Sequence, residues 1–254
     1  MVAFAPDELS HDDFLGGRLH IWQPRAGYRA GVDAVLLAAA VDAAPGQRVL
    51  ELGCGAGVAS LCLAHRVHGL RLAGVELQPD YGALARRNAV ENAMELDVVL
   101  ADLAKLPAGL RALNFDHVIA NPPYFERDRG TAAKNTGRDV ALAGATPLAV
   151  WVDVATRRLK PGGWLTMIQK AARLPDLLGA MDARLGTVRV KPLAPRRDRA
   201  AELVIVAARK GGRGAFRLLA PMIMHTGARH ERDADSYTPA TSAILRDGRA
   251  LKLS

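Results

Sequence analysis

Segments predicted to be strands alternate with segments predicted to be helices between residues 48 and 170, and this alternation constrains the fold more than any other feature. The strand candidates are short runs rich in Val, Ile and Leu, at 48–55, 71–77, 97–102, 115–121 and 164–170. Helical patterns fill the intervals at 57–68, 79–93 and 146–159. Strands connected by helical crossovers lie parallel, so the sequence predicts an α/β fold with a mostly parallel, twisted sheet and helices on both faces.

The pattern changes after residue 170. A helix predicted near 173–184 leads to two further strand candidates, 187–195 and 202–210, which are joined by a short basic loop. So short a connection favours an antiparallel hairpin at the end of the sheet. A chain of 254 residues, half of them hydrophobic, can bury one substantial core. No linker divides it, so we expect a single domain over residues 1–254, with an exposed loop at 225–240.

Charge and cysteine content narrow the classes of function. Lys and Arg number 34 against 26 acids, and the net charge of +8 favours an acidic partner such as nucleic acid. Cys54 and Cys62 have no metal-like or disulfide spacing, so we expect packing residues in a reducing cytoplasm and no metal. An acidic N-terminus and short apolar runs argue against a signal peptide or a membrane span, so the expected location is the cytoplasm.

A glycine-rich turn follows the first of the alternating strands. Gly53, Gly55 and Gly57 stand where that strand ends and a helix begins. Glycine there lets the backbone approach a ligand closely, and the free N–H groups of the helix attract a negative group. The dinucleotide fingerprint needs glycine at the position of Val58, so the spacing disfavours NAD. A purely structural turn remains the alternative.

Acidic residues end three successive strands beside this turn. Glu76 lies 23 residues beyond Gly53, where an acid accepts hydrogen bonds from ribose hydroxyls. Asp102 could accept from an adenine amine and Glu51 could face an ammonium group, although each acid alone is more often a helix cap or a solvated residue. Together the three acids suit a cationic nucleoside, and S-adenosylmethionine is such a molecule.

The stretch Asn121-Pro122-Pro123-Tyr124 ends the fourth strand. It places an amide, two rigid prolines and an aromatic ring at the end of a buried strand, which is where open α/β sheets bind ligands. The alternative is that the prolines merely end the strand and that Tyr124 packs in the core.

With these motifs, the chain resembles the Rossmann-like class I S-adenosylmethionine-dependent methyltransferases, and within them the branch that methylates amino groups through Asn/Asp-Pro-Pro-Tyr/Phe. The resemblance rests on the stretches VLELGCGAG, GVELQP, LADL and VIANPPYF. It implies S-adenosyl-L-methionine as the cofactor. The implied cofactor-binding residues are Gly31, Asp33, Glu51, Gly53, Gly55, Gly57, Glu76, Asp102 and Asn121. Among them, Gly31 and Asp33 would border the methionine end of the cofactor, although Asp33 could equally be an acid at the N-terminus of a helix.

The resemblance also implies how the tetrapeptide works. In the resembled family, the Asn side-chain oxygen and the carbonyl of the first proline accept the two N–H bonds of a planar amino group, and here these are Asn121 and Pro122. Such a nitrogen is a poor nucleophile because its lone pair is delocalised, and the two acceptors aim that lone pair at the sulfonium methyl group. Pro123 helps to keep the acceptors rigid, and Tyr124 stacks on the planar group of an extruded or unpaired base.

Two flanking segments, 28–39 and 237–248, resemble bacterial N6-adenine methyltransferases of the valine-tRNA type, which methylate adenosine 37, just 3′ of the anticodon. This resemblance implies a tRNA partner. It also divides the domain into a cofactor-capping segment (1–45), a catalytic core (46–210) and a C-terminal tail (211–254).

Two basic clusters predict contact with a polyanion. Residues 127–138 hold four cations against one acid, a net of +3, and residues 191–217 hold eight against two, a net of +6. Because the first cluster adjoins the tetrapeptide, phosphate contact is favoured over a merely solvated surface. The predicted substrate or RNA contacts are Phe125, Arg127, Arg129, Lys134 and Arg138.

Three other functions stay open. A release-factor glutamine methyltransferase shares Asn-Pro-Pro-Tyr but usually carries a helical N-terminal domain, whereas only about 45 residues precede the alternating strands here. A guanine N2 methyltransferase more usually has Phe at the position of Tyr124 and a duplicated domain. A non-catalytic RNA-binding protein with this fold typically loses the glycine turn or the Asn-Pro-Pro signature, and both are retained here.

Overall fold

The computed structural model describes residues 4–124, 146–227 and 236–253. Its strands are β1 (Leu9–Phe14), β2 (Leu19–Pro24), β3 (Arg48–Leu52), β4 (Arg71–Glu76), β5 (Asp97–Leu100), β6 (Phe115–Ala120), β7 (Leu159–Lys170), β8 (Leu185–Ala194), β9 (Leu203–Lys210), β10 (Arg217–Leu218) and β11 (Met222–Ile223). Its α-helices are α1 (Val32–Ala39), α2 (Val58–Arg66), α3 (Pro79–Glu91), α4 (Ala108–Arg111), α5 (Leu148–Arg158), α6 (Leu174–Gly179) and α7 (Pro239–Asp247). Short 3-10 turns occur at Pro6–Glu8, Leu103–Lys105 and Ala171–Arg173.

One large sheet forms the centre of the molecule. Its strands follow the order β10-β8-β9-β7-β6-β3-β4-β5, and β11 pairs with β8 beyond the end of β10. The five strands from β3 to β7 are parallel, whereas β9 runs antiparallel to both β7 and β8. This arrangement confirms the predicted α/β class, the mostly parallel sheet and the antiparallel hairpin at its end.

Both faces of the sheet are buried, as expected for parallel strands covered by helices. In β6, Ile119 packs in one layer with Leu36 of α1, and its neighbour Val118 packs in the other layer with Trp151 of α5.

Cys54 and Cys62 are buried free thiols, which fits their predicted packing role. Within the described ranges, no helix is long and apolar enough to cross a membrane, and no group of His, Cys, Asp and Glu could hold a metal ion.

Several predicted elements have the wrong extent. The strands predicted at 48–55 and 164–170 are β3, which already ends at Leu52, and β7, which already starts at Leu159. The helix predicted at 173–184 is α6, which ends at Gly179 because a turn follows: the Asp182 carboxylate accepts a hydrogen bond from the N–H of Arg184, at 2.8 Å, and β8 starts directly afterwards. The loop predicted at 225–240 is shorter than expected. His225 pairs and stacks with Tyr237, and α7 begins at Pro239; residues 228–235 lie outside the described ranges.

The hairpin of β1 and β2 is an element that the sequence patterns did not predict. Asn88 in α3 and Asn92, directly after that helix, hold it through amide groups that act like the edge of a strand. Asn88 exchanges two hydrogen bonds with the backbone of Trp22, and Asn92 exchanges two with the backbone of His20, all between 2.8 and 3.0 Å. The hairpin is thereby fixed beside the sheet, and the chain returns from it towards α1.

Candidate active site

The carboxyl ends of β3 to β7 lie side by side at one edge of the sheet, because these strands are parallel and paired in register. Leu52 at the end of β3 pairs with both Val75 and Ala120. The glycine turn, Glu76, Asp102 and the tetrapeptide therefore meet at this edge. We call it the site edge, and we call the edge at which β3 to β7 begin the opposite edge.

The glycine turn has a backbone that only glycine adopts readily. Gly53 and Gly55 have φ values of +64° and +53°, and both are at left-handed positions. A Cβ atom on Gly53 would lie 2.6 Å from the Trp151 ring, and one on Gly55 would lie 3.4 Å from the Tyr28 ring. The turn is thus closely packed by Trp151 on one side and covered by Tyr28 on another, and α2 starts directly after it.

Glu76 is buried and ties the glycine turn to the end of β4. Its carboxylate accepts hydrogen bonds from the N–H of Gly55, at 2.8 Å, and from the N–H of Gln78, at 2.9 Å. Burial raises the pKa of Glu76, and these backbone N–H groups partly offset that effect. A carboxylate has about four acceptor positions, so hydrogen bonding to the turn does not use its full capacity.

Glu51 is also buried, one residue before the end of β3. Its Oε2 atom accepts hydrogen bonds from the N–H and the hydroxyl group of Ser60, at 3.0 and 2.5 Å. Burial raises the pKa of Glu51 to about 7; the Ser60 bonds lower it and the nearby charge of Glu76 adds to the rise. Close to neutral pH, this side chain can therefore hold or release a proton.

Asp102 and Gly31 stand at the ends of helical elements. Asp102 is exposed, and its Oδ1 atom accepts a hydrogen bond from the N–H of Ala104, at 2.8 Å, which caps a 3-10 turn. Gly31 is the N-cap of α1, and a Cβ atom there would meet nothing within 4 Å. The capping role considered for Asp102 is thus present, and its second oxygen carries no bond among the described residues.

In the tetrapeptide, Pro122 is buried and the other three residues are half-buried. The Nδ2 atom of Asn121 donates to the hydroxyl oxygen of Tyr28, at 3.4 Å. The carbonyl oxygen of Pro122 accepts from the Nε2 atom of Gln169, at 3.3 Å. Gln169 is fully buried near the end of β7, and its own Oε1 atom accepts from the N–H of Lys170, at 2.8 Å, which orients the amide.

Tyr124 is held from both the N-terminal segment and β7. Its hydroxyl group donates to Asp33 at the start of α1, and the Lys170 ammonium lies 5.2 Å from its ring centroid. Burial and the adjacent Asp33 carboxylate raise the pKa of Tyr124, so the hydroxyl stays protonated. The alternative that Tyr124 packs in the core does not describe this side chain, since its polar end is hydrogen-bonded at the site.

Tyr28 and Gln169 were missed by the sequence patterns. Tyr28 is half exposed, and it lies between the glycine turn and Asn121, with its backbone carbonyl held by the hydroxyl of Tyr81 at 2.9 Å. The only sequence signal for Gln169 was a polar residue inside an apolar strand. The predicted RNA contacts Phe125, Arg127, Arg129, Lys134 and Arg138 lie outside the described ranges.

The profile of the methyltransferase small domain family matches residues 29–192. A tRNA1(Val) (adenine(37)-N6)-methyltransferase of Actinobacillus succinogenes is 30% identical over 202 residues, which are 76% of this chain and 82% of that protein. The protein of the same name from Porphyromonas gingivalis is 33% identical over 175 residues, which are 65% and 68% of the two chains.

Solved structures share the fold. A protein of Agrobacterium tumefaciens, described as a predicted O-methyltransferase, has a TM-score of 0.69 and 27% identity, over 87% of this chain and 98% of that one. The 16S rRNA N2 methyltransferase RsmC of Thermus thermophilus, in complex with AdoMet and guanosine, has a TM-score of 0.56 and 20% identity, over 80% of this chain and 50% of that one.

Proposed function

Because the chain belongs to the methyltransferase small domain family and is an S-adenosylmethionine-dependent methyltransferase, we propose that it methylates the exocyclic N6 amine of an adenine in RNA. The proposed RNA is a tRNA, and the proposed position is adenosine 37 of a valine tRNA, as the names of the two relatives suggest. A tRNA substrate would place the protein in the cytoplasm.

One observation carries this proposal: two hydrogen-bond acceptors, the Asn121 side chain and the Pro122 carbonyl, stand beside the glycine turn at the end of β6. Asn121 uses its Nδ2 atom towards Tyr28, which leaves its Oδ1 atom to accept from a substrate amine. Gln169 fixes the Pro122 carbonyl, whose second lone pair can accept the other N–H bond. Two fixed acceptors select a planar amino group and set the direction of its lone pair.

The cofactor supplies a methyl group bonded to a positively charged sulfur atom. The left-handed glycine turn and the buried Glu76 carboxylate at the end of β4 support binding of its nucleoside part at the site edge. We assign Glu76 to the ribose hydroxyls and Asp102 to the adenine amine of the cofactor. Glu51 is assigned to its methionine end, together with Gly31 and Asp33 of the capping segment, residues 1–45.

Tyr124 is assigned to base stacking. Its hydroxyl is fixed by Asp33, so the ring plane is held before the substrate arrives, and less freedom is lost when a base stacks on it. A base in a stacked duplex could not reach this ring, so the target adenine must be unpaired or extruded.

The similarity to the Agrobacterium protein, a predicted O-methyltransferase, raises oxygen methylation as a second candidate. A hydroxyl nucleophile needs a base to take its proton. Glu51, with a pKa of about 7, could take that proton, so the presence of a base does not decide between the two reactions. The paired acceptors of Asn121 and Pro122 suit an N–H₂ group better than a single hydroxyl.

The test is mass spectrometry of nucleosides and peptides after incubation of the protein and S-adenosylmethionine with tRNA and a release factor. We expect N6-methyladenosine in the tRNA and an unmodified release factor. Methylated glutamine with unmodified tRNA would establish the release-factor function instead. A 2′-O-methylated nucleoside would establish oxygen methylation.

A further inference from the structure

Sheet topology divides the second basic cluster, residues 191–217, between the two edges of the sheet. Because β9 is antiparallel to β7, Leu203 at its start pairs with Lys170 at the site edge. Lys210 at its end lies at the opposite edge, paired with Leu185. The connection between β8 and β9, residues 195–202, therefore lies at the site edge, and we call it the arginine loop. The segment after β9, which contains Arg213, lies at the opposite edge.

The arginine loop presents two free guanidinium groups. Arg197 and Arg199 are exposed, and neither forms an ion pair or a side-chain hydrogen bond within the part of the chain that the structure describes. Arg196 differs from them, because it donates to the carbonyl oxygens of Thr226 and Gly227 and so holds the neighbouring segment. With Asp198 included, residues 196–199 carry a net charge of +2, from three cations and one acid.

Cations at the opposite edge are mostly engaged within the protein. Lys160 pairs with Asp116 at 2.8 Å, and Arg184 pairs with Asp182 at 2.6 Å. Lys210 donates to the carbonyl oxygen of Leu159 at 2.7 Å. Arg71 and Arg213 at the opposite edge are also exposed and have no side-chain partner among the described residues, so the arginine loop is distinguished by its position on the side of the tetrapeptide.

The distance between the arginine loop and the tetrapeptide suits a nucleic acid strand. Strands β6, β7, β9 and β8 are neighbours, so three inter-strand spacings, about 14 Å in all, separate the ends of β6 and β8. A stacked strand advances about 3.4 Å per nucleotide, so about four nucleotides span this distance. Lys170 lies between the two, at the end of β7.

We infer that Arg197 and Arg199 bind backbone phosphates of the RNA strand that flanks the methylated adenosine, about four nucleotides from it. The inference rests on the proposed function, which supplies the RNA. Guanidinium groups match phosphate oxygens in a bidentate geometry, and their exposure lets them meet a phosphate without first breaking an ion pair. The extruded base enters the site, while the backbone continues along the site edge over β7 and β9.

The experiment compares two double variants that remove equal charge from the two edges. Arg197→Ala/Arg199→Ala alters the arginine loop, and Arg71→Ala/Arg213→Ala removes two exposed arginines at the opposite edge, which also have no side-chain partner among the described residues. The probe is a fluorescent RNA stem-loop with the sequence of a valine tRNA anticodon arm, and its affinity is measured by anisotropy at several salt concentrations.

We expect the arginine-loop variant to bind this RNA about tenfold more weakly, with the slope of log K against log salt smaller by about 1.4, since each single-strand phosphate contact contributes about 0.7. The control variant should bind within about twofold of the wild type. Both should keep wild-type affinity for S-adenosylmethionine. Arg197→Lys/Arg199→Lys should recover most of the salt slope and part of the affinity, because charge returns without the bidentate geometry.

Equal losses in both double variants, or an unchanged affinity in the arginine-loop variant, would overturn the inference, and so would a wild-type protein that does not bind this RNA. Methylation is scored separately with the wild type. If the wild type binds the stem-loop through Arg197 and Arg199 but transfers no methyl group to adenine, the surface is supported and the proposed function fails.

Discussion

The two edges of the sheet use their carboxylates in opposite ways. At the site edge, burial raises the pKa of both Glu51 and Glu76, and within the described residues no Lys or Arg pairs with either. At the opposite edge, burial alone would raise the pKa of Asp116, but the N–H of Arg48 and the ammonium of Lys160 outweigh it and lower that pKa. A buried carboxylate without a cation is unfavourable in a merely structural role. This contrast supports the proposal that the positively charged cofactor binds at the site edge.

The largest expected effect is the loss of methyl transfer in Asn121→Ala, a substitution at the site edge. Removing one correctly placed acceptor at the site edge should lower the rate of methyl transfer to adenine N6 by about 10² to 10³, or ~3 to 4 kcal/mol of barrier. Fold and cofactor affinity should be retained, because Asn121 acts on the nucleophile. Single-turnover methylation of tRNA measures the rate. Asn121→Asp is the control, because it keeps an acceptor oxygen and should keep much more of the activity than Ala.

Near-normal turnover in Asn121→Ala would contradict the mechanism.

Tyr124→Ala should cost less in rate and more in substrate affinity, because stacking on a flipped base is worth ~1 to 3 kcal/mol. Tyr124→Phe should be mild, because the ring survives and only the bond to Asp33 is lost.

Asn121 could be predicted as a site residue from the sequence, because the residues that identify it are adjacent in the chain. A rigid tetrapeptide directly follows an apolar strand, and the alternation of strands and helices fixes that strand's place at the centre of a parallel sheet. The same reasoning placed the glycine turn and Glu76, which follow directly on strand ends.

Elements that depend on distant contacts could not be found in this way. The hairpin of β1 and β2 is held by Asn88 in α3 and by Asn92 directly after it, which are 66 and 72 residues from their partners. Tyr28 contacts Asn121 only in the folded protein, because the two residues are 93 positions apart in the sequence. Gln169 looked like a polar interruption of a strand, because nothing in the sequence shows which carbonyl lies beside it.

The free energy of unfolding should depend on pH in opposite directions through Glu51 at the site edge and Asp116 at the opposite edge. The pKa of Glu51 is about 7 in the folded protein and about 4.5 as an ordinary value, so the folded state holds this proton more tightly than the unfolded state. Its contribution to stability is complete below about pH 4.5 and is lost as pH rises through about 7. The loss is on the order of 3 kcal/mol. Chemical denaturation between these pH values measures it.

Glu51→Gln is the matched variant for this measurement, because glutamine can still accept from Ser60 but does not titrate. Its stability should exceed that of the wild type above pH 7, and the difference should vanish in acid. Asp116→Asn should behave with the opposite sign: its pKa is lowered, so the wild type is favoured at neutral pH and loses that advantage as pH falls. Parallel pH profiles for Glu51→Gln and the wild type would refute the role of burial at Glu51.

Glu76→Ala should weaken binding of both S-adenosylmethionine and S-adenosylhomocysteine tenfold or more. A hydrogen bond to a charged group is worth ~1.5 to 3 kcal/mol, and the substitution also frees the N–H of Gly55 that the carboxylate holds. Asp116→Ala is the control from the opposite edge, since Asp116 likewise accepts a backbone N–H, from Arg48 at 2.8 Å. Isothermal titration calorimetry should show a loss in Glu76→Ala alone. An unchanged affinity in that variant would remove Glu76 from the cofactor site.

The smallest expected effect tests whether the buried amide of Gln169 at the site edge differs in function from the half-buried amide of Gln47 at the opposite edge. Gln169 donates to the Pro122 carbonyl, whereas Gln47, just before β3, accepts from the N–H of Ala44 and bonds His117. Gln169→Leu should lower kcat about two- to tenfold, the worth of one hydrogen bond of ~0.5 to 1.5 kcal/mol, with little change in KM for the cofactor. Gln47→Leu should lower the melting temperature and leave kcat unchanged. If both variants were less stable but kept the wild-type kcat, the position of the Pro122 carbonyl would not depend on Gln169. The two edges would then be alike in this respect.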